Sequence, residues 1–142
     1  MKRYGWCIVV LSVVPAAGGC NRRQVRECTA LVERINAADA AIQKGGGTGN
    51  RTQRVANMAK TIESERSAIA ALAIKDAKLR GLRDDYATLL DEIARSSNKV
   101  LEAAHDNDSA AIQTSTTAIQ AAGAKEAALL RSLNAYCQTA GG

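Results

Sequence analysis

Apolar residues recur at three- and four-residue steps in four separate stretches of this 142-residue chain. This spacing gathers apolar side chains on one face of an α-helix, because the helix repeats every 3.6 residues. Alanine fills 28 positions and proline only one, which favours long helices over sheets. The sequence therefore predicts an all-α protein. The first and last apolar residues of the stretches are Val25 and Ile42, Val55 and Leu72, Leu79 and Ala103, and Ile112 and Tyr136.

Breaks in the apolar pattern separate the predicted helices. The glycine-rich segment 45–49 stops the first helix, Asp76 suits the N-cap of the third, and the polar segment 105–109 precedes the fourth. Because short connections force neighbouring helices to run antiparallel, we expect an antiparallel up-down-up-down four-helix bundle. A three-helix arrangement with one bent long helix is the alternative. The third helix carries a heptad pattern with one polar layer at Ser96.

The first residues of the chain have the layout of an export signal. A positive start at Met1-Lys2-Arg3 is followed by the apolar run 4–14, and Pro15 then breaks the pattern. The run is too short to cross the hydrocarbon core of a bilayer, which takes about 20 residues. Its length does fit the apolar region of a secretory signal. The sequence therefore predicts that residues 1–19 are removed on export.

Small residues directly precede a cysteine in the segment Ala17-Gly18-Gly19-Cys20. This segment resembles the lipobox of bacterial lipoproteins, in which the cysteine thiol is joined to diacylglycerol, the signal is cut before it, and the new amine is acylated. The resemblance implies a lipoprotein signal peptide at 1–19, a lipidated tether at 20–24 and a helical bundle domain at 25–140. Since Ala17 stands where lipoboxes usually carry leucine, the alternative is an ordinary secretory signal that leaves Cys20 as a free thiol or a disulfide partner.

The same resemblance implies that acyl chains anchor the protein to membrane lipid. Asn21 stands where aspartate is the usual inner-membrane retention signal, so the resemblance implies the outer membrane, facing the periplasm, in a Gram-negative cell. Without residues 1–19 the chain keeps 17 basic and 14 acidic residues, a net charge of +3. Arg22, Arg23 and Arg26 either contact anionic headgroups or belong to a solvated tether. The small net charge and the scarcity of aromatic residues argue against a nucleic-acid partner.

The four cysteines of the chain fall into three groups. Cys7 lies in the predicted signal and Cys20 at the predicted anchor, which leaves Cys28 and Cys137. In an antiparallel four-helix bundle the start of the first helix lies beside the end of the fourth, and export places both cysteines where disulfides persist. We therefore predict a disulfide between Cys28 and Cys137. Two separate buried thiols are the alternative.

Acidic pairs are the first candidates for chemistry. One histidine excludes two-histidine metal sites, and the sequence contains no CxxC or HExxH motif. The pairs Asp84-Asp85 and Asp91-Glu92 suggest acid–base or metal chemistry. Adjacent helical residues diverge by about 100°, however, so we favour exposed charges that balance nearby arginines. Those arginines are Arg80, Arg83 and Arg95.

The remaining polar and aromatic candidates each favour a structural interpretation. His105 is expected to be a solvated residue at a helix end, and haem ligation together with Met58 is the alternative. Tyr86 and Tyr136 lie on apolar faces and are expected to pack in the core or at its boundary. The cluster 114–117 has no histidine or aspartate at a useful spacing in its own segment, which argues against a serine nucleophile. We therefore predict no catalytic residue, cofactor or metal site.

These observations predict a membrane-anchored, exported helical lipoprotein that acts as a non-enzymatic binding or structural module of the cell envelope. Its expected partners are membrane lipid and an envelope protein. The alternative is a carrier of a small ligand or a metal that uses the bundle interior, and an enzyme is the third hypothesis. Beyond the lipobox, the chain resembles small alanine-rich helical lipoproteins of no established function, so the resemblance implies no further role.

Overall fold

The computed structural model describes residues 22–140, which form four α-helices and no strand. Each helix packs on the next one along the chain, whereas the contact between the first and the last helix is much smaller. The predicted four-helix bundle is confirmed for these residues. The up-down order of the helices stays a prediction, and the predicted signal peptide 1–19 and lipidation site Cys20 lie outside the described residues. The helices are α1 (Arg22–Gly45), α2 (Arg51–Ala70), α3 (Ala77–His105) and α4 (Ser109–Ala140).

Side-chain caps start two of the helices where the sequence has polar residues. Asp76 accepts a hydrogen bond from the backbone N–H of Leu79 at 2.9 Å, which confirms it as the N-cap of α3. Asn50 caps α2 by accepting from the N–H of Gln53, and the Gln53 side chain accepts in return from the N–H of Asn50. This reciprocal pair satisfies two backbone donors that the first turn of a helix leaves without intrahelical partners.

The first helix begins inside the predicted tether and ends at a close contact with α2. The helix begins at Arg22, so residues 22–24 of the predicted tether are already helical. It ends at Gly45, where a Cβ atom would lie 2.5 Å from Thr61 Oγ1 on α2. The absence of a side chain at Gly45 therefore lets the end of α1 approach α2 closely.

The core is built from aliphatic side chains, small residues and one large aromatic ring. Tyr86 is 1% exposed and has the largest of the fully buried side chains. The buried polar position of α3 is Ser97 rather than the predicted Ser96, because a straight helix of 3.6 residues per turn drifts from a strict heptad. Buried alanines let the helix backbones approach closely; they include Ala38, Ala59, Ala87, Ala94, Ala103 and Ala122.

One end of the bundle is held together by covalent and polar links. The predicted disulfide between Cys28 and Cys137 is present, with Cα atoms 5.7 Å apart, and it joins the start of α1 to the end of α4. Glu27 on α1 accepts a hydrogen bond from the N–H of Asp76 at 2.9 Å, and the Tyr136 hydroxyl on α4 donates to the Asp76 carboxylate at 3.0 Å. This end therefore fixes α1 and α4 relative to the start of α3.

Candidate functional site

A groove of about 380 Å³ lies between α1 and α4, two helices that make little contact with each other. On α1 it extends from Val32 to Asp39, one helical turn beyond the disulfide at Cys28. Seven residues of helix correspond to about 10 Å. Its walls are apolar, its rim carries amide and guanidinium groups, and one end carries two carboxylates. The apolar residues include Val32, Ile35, Leu130 and Leu133, the rim residues are Asn36, Arg131 and Asn134, and the carboxylates are Asp39 and Glu126.

The carboxylates meet at the hydroxyl of Tyr86, which reaches them from α3. Tyr86 Oη lies 3.0 Å from Asp39 Oδ1 and 2.9 Å from Glu126 Oε1. A phenol has one hydrogen, so Tyr86 can donate to only one carboxylate at a time. Both contacts become hydrogen bonds when a second proton is present, for example when a protonated Asp39 donates to Tyr86 Oη. Three helices thus bring together two carboxylates that share a single hydrogen-bond donor, the Tyr86 hydroxyl.

The protonation of Asp39 reflects this arrangement. The pKa of Asp39 is raised to about 6, first by burial and then by the charge of Glu126, while the hydrogen bond from Tyr86 acts in the opposite direction and lowers it. The pKa of the Tyr86 hydroxyl is also raised, first by burial and then by the two carboxylates, so the phenol stays protonated. The groove therefore ends in a carboxyl group that changes its charge close to neutral pH.

The raised pKa of Asp39 makes stability depend on pH. An unfolded aspartate has a pKa of about 3.9, so between about pH 4 and pH 6 the folded protein binds more protons than the unfolded chain. The free energy of unfolding is therefore expected to fall as pH rises through this window and then to level off. We expect a loss of about 1 to 2 kcal/mol, since solvent in the groove weakens the full effect of the shift. Urea unfolding at intervals between pH 4.5 and pH 7.5 measures this change.

The Asp39→Asn variant is the control for this prediction, because its amide cannot ionise. Its unfolding free energy should be nearly independent of pH across the same window. Asp76 does not add to the change in stability between about pH 4 and pH 6. Its pKa is lowered, mainly by the hydrogen bond from the N–H of Leu79, so the stability that its ionised form contributes is lost only as pH falls below about 4. Equal pH profiles for the wild type and Asp39→Asn would contradict the raised pKa of Asp39.

The acidic pairs that the sequence offered lie apart from this groove. Asp84 pairs with Arg83 at 2.7 Å, and Asp91 pairs with Arg95 at 2.9 Å and with Arg66 at 3.4 Å. Glu92 pairs with Lys125 at 2.7 Å, and Asp85 is exposed. The prediction that nearby arginines balance these carboxylates is confirmed for Arg83, which pairs with Asp84, and for Arg95, which pairs with Asp91.

The other candidates from the sequence serve the fold. His105 is exposed at the end of α3, beside Asp106, while Met58 packs against the core from α2. In the cluster 114–117, three threonine hydroxyls donate to backbone carbonyls four residues earlier, and Ser115 is buried. These threonine hydroxyls are used within α4. In residues 22–140, no group of three or more His, Cys, Asp or Glu side chains is arranged to hold a metal ion.

The chain was compared with known proteins in three ways. No model of a protein family matches it, and neither a curated protein nor a solved structure matches it. Within residues 22–140, none of the helices combines the length and the apolar character that crossing a membrane requires.

Sequence reasoning missed the pairing of Asp39 with Glu126, although one signal was present. Glu126 follows Ala122 and precedes Leu129 and Leu133 in the apolar series of α4, so a charged residue occupies a position that faces the bundle. A carboxylate at such a position calls for a polar partner inside the bundle. Asp39 gave no such signal, because alanines surround it in the sequence.

Proposed function

We propose that this chain is a membrane-anchored, exported helical lipoprotein that acts as a non-enzymatic binding module of the cell envelope. The observation that carries the proposal is the disulfide between Cys28 and Cys137. Disulfides persist in oxidising compartments such as the periplasm and are rare in the bacterial cytosol. The disulfide thus supports export independently of the lipobox-like segment that ends at Cys20.

The bundle suits a role in binding more than a role in catalysis. The described acidic pairs outside the groove are largely neutralised by basic side chains, and the threonine hydroxyls of α4 are engaged with its backbone. A small-ligand carrier is the second candidate function, and the groove between α1 and α4 is the observation that favours it. A volume of about 380 Å³ falls within the range of small-molecule sites.

Lipidation at Cys20 is tested by labelling cells that express the full chain with a radioactive fatty acid. We expect label in the wild type, because acyl chains are joined to a lipoprotein at its lipobox cysteine. Cys20→Ala should carry no label and should leave the membrane fraction, since the anchor is missing. Cys7→Ala is the matched control: it removes a cysteine of the predicted signal peptide and should leave labelling unchanged.

The mass of the N-terminal peptide gives a second readout of the same proposal. The peptide should begin at Cys20 and carry the added mass of the acyl groups. An unmodified peptide, or a mature protein that begins at another residue, would show that Cys20 is not the anchor. Fractionation of a Gram-negative host then tests the proposed outer-membrane location, because inner and outer membranes differ in density and are collected separately.

A further inference from the structure

We propose that the groove between α1 and α4 binds a small organic cation. Its ammonium group lies between the carboxylates of Asp39 and Glu126, and its apolar body lies along Val32 and Ile35. This inference rests on the second candidate function, the small-ligand carrier, and names the class of ligand that the groove takes.

The carboxylate end of the groove offers more acceptors than the protein supplies donors. Each ionised carboxylate accepts hydrogen bonds at both oxygens, whereas the Tyr86 hydroxyl provides one hydrogen to the two of them. An ammonium group has three donors and one positive charge. Placed between Asp39 and Glu126, it bonds to both carboxylates and leaves Tyr86 free to donate to either one.

The charge of this pair also lacks a basic partner of the chain itself. Elsewhere on the surface between α3 and α4, Glu92 is neutralised by Lys125 at 2.7 Å. In residues 22–140, neither Asp39 nor Glu126 forms an ion pair with a lysine or arginine. Arg131 lines the groove but makes no such pair. Two half-buried carboxylates in contact with one hydroxyl therefore complement a cation that comes from outside the chain.

The apolar walls select an organic cation over an inorganic one. Val32, Ile35 and Leu133 are buried and form the inner wall, and their side chains offer no oxygen ligand. A calcium ion takes six to eight oxygen ligands, whereas the two carboxylates and the phenol together offer five oxygen atoms. The distance of about 10 Å along α1 from Asp39 to Val32 suits a straight chain of about six carbons that carries an ammonium at one end.

Hexylamine is the probe that tests this proposal, because it is a cation at pH 7.5 and its chain fits the groove. Hexanol is its neutral analogue of nearly equal length. Calorimetric titration and ¹H–¹⁵N NMR shifts of the purified protein measure the binding of both compounds. We expect hexylamine to bind at least tenfold more tightly than hexanol and to shift the amide signals around Val32, Ile35 and Leu133. Its affinity should fall at pH 5, where the pKa of Asp39 leaves that carboxyl protonated.

Glu126→Gln and Asp39→Asn remove one negative charge each, and each should weaken hexylamine binding about tenfold. The matched control is Glu92→Gln, which removes a carboxylate from the same bundle outside the groove and should leave the affinity unchanged. The ¹³C signal of the Asp39 carboxyl in the wild type gives a readout that needs no variant. Bound hexylamine should lower the pH at which that signal titrates, since a nearby cation favours the ionised form.

The outcomes separate this inference from the function on which it rests. Equal binding of hexanol and hexylamine in the groove would overturn the preference for a cation and leave a small-ligand carrier. Shifts spread over exposed acidic residues such as Asp91 would show non-specific attraction and would also overturn the proposed site. Binding of neither probe would count against both the cation site and the carrier function.

Discussion

Reduction of the Cys28–Cys137 disulfide is expected to lower the free energy of unfolding by about 4 to 5 kcal/mol. The two cysteines are 109 residues apart, so the bond closes a loop that spans nearly all of the described chain. In the chain-entropy model, a loop of about 100 residues restricts the unfolded state by roughly this amount at 25 °C. The effect is large beside the 5 to 15 kcal/mol that stabilises a typical protein.

The position of the bond gives it a second role in the folded state. α1 packs mainly on α2 and α4 mainly on α3, so few other contacts join the first helix to the last. The disulfide and the Tyr86 hydroxyl lie near the two ends of the groove and link its walls. Without the disulfide, we expect amide hydrogens near the start of α1 and the end of α4 to exchange faster than those at the centre of α3.

Urea unfolding of the purified protein with and without a phosphine reductant measures the loss of stability. The double variant Cys28→Ser/Cys137→Ser is the control, since it should resemble the reduced protein and should not respond to reductant. A reduced protein as stable as the oxidised one would contradict this prediction. The strain that the bond adds to the folded state would then cancel the stability gained from the lower conformational entropy of the unfolded chain.

Local signals in the sequence predicted most of the fold. The spacing of apolar residues depends only on the helical repeat, and it located all four helices. Asp76 caps α3 through a bond to a residue three positions away, so its role is visible in the sequence. The disulfide followed from one topological fact, the proximity of the first helix to the last, combined with the expected compartment. Such features need no knowledge of how the helices are rotated against one another.

The groove depends on how the helices are rotated against one another, and for that reason sequence reasoning did not find it. Asp39 and Tyr86 are 47 positions apart, and Glu126 lies 40 positions beyond Tyr86. Their contact requires a particular register of α1, α3 and α4, which alanine-rich faces specify weakly because small side chains fit several registers. Tyr86 was expected to pack in the core, and it does so. The sequence did not show that its hydroxyl would also meet two acids.

Tyr86→Ala is expected to lower the free energy of unfolding by about 3 to 5 kcal/mol, the range for truncating a buried aromatic ring to alanine. Its ring is 1% exposed, and no other aromatic residue between 22 and 140 is buried to this extent, so the remaining aliphatic side chains would have to collapse into the cavity. Tyr86→Phe keeps the ring and removes the hydroxyl. It should cost about 1 to 2 kcal/mol, because Asp39 and Glu126 lose their shared donor while solvent in the groove satisfies part of the demand.

The two substitutions together separate packing from hydrogen bonding, and pH gives a further test. Tyr86 lowers the pKa of Asp39 by donating to its carboxylate, so Tyr86→Phe should move the pH-dependent loss of stability to higher pH. Tyr136→Phe is the matched control, since it removes a half-buried hydroxyl that bonds to Asp76 outside the groove, and it should leave this titration in place. If Tyr86→Phe is as stable as the wild type with an unchanged pH profile, the hydroxyl does not link the two carboxylates in solution. If it is as unstable as Tyr86→Ala, the polar link rather than the ring holds α3 against α1 and α4.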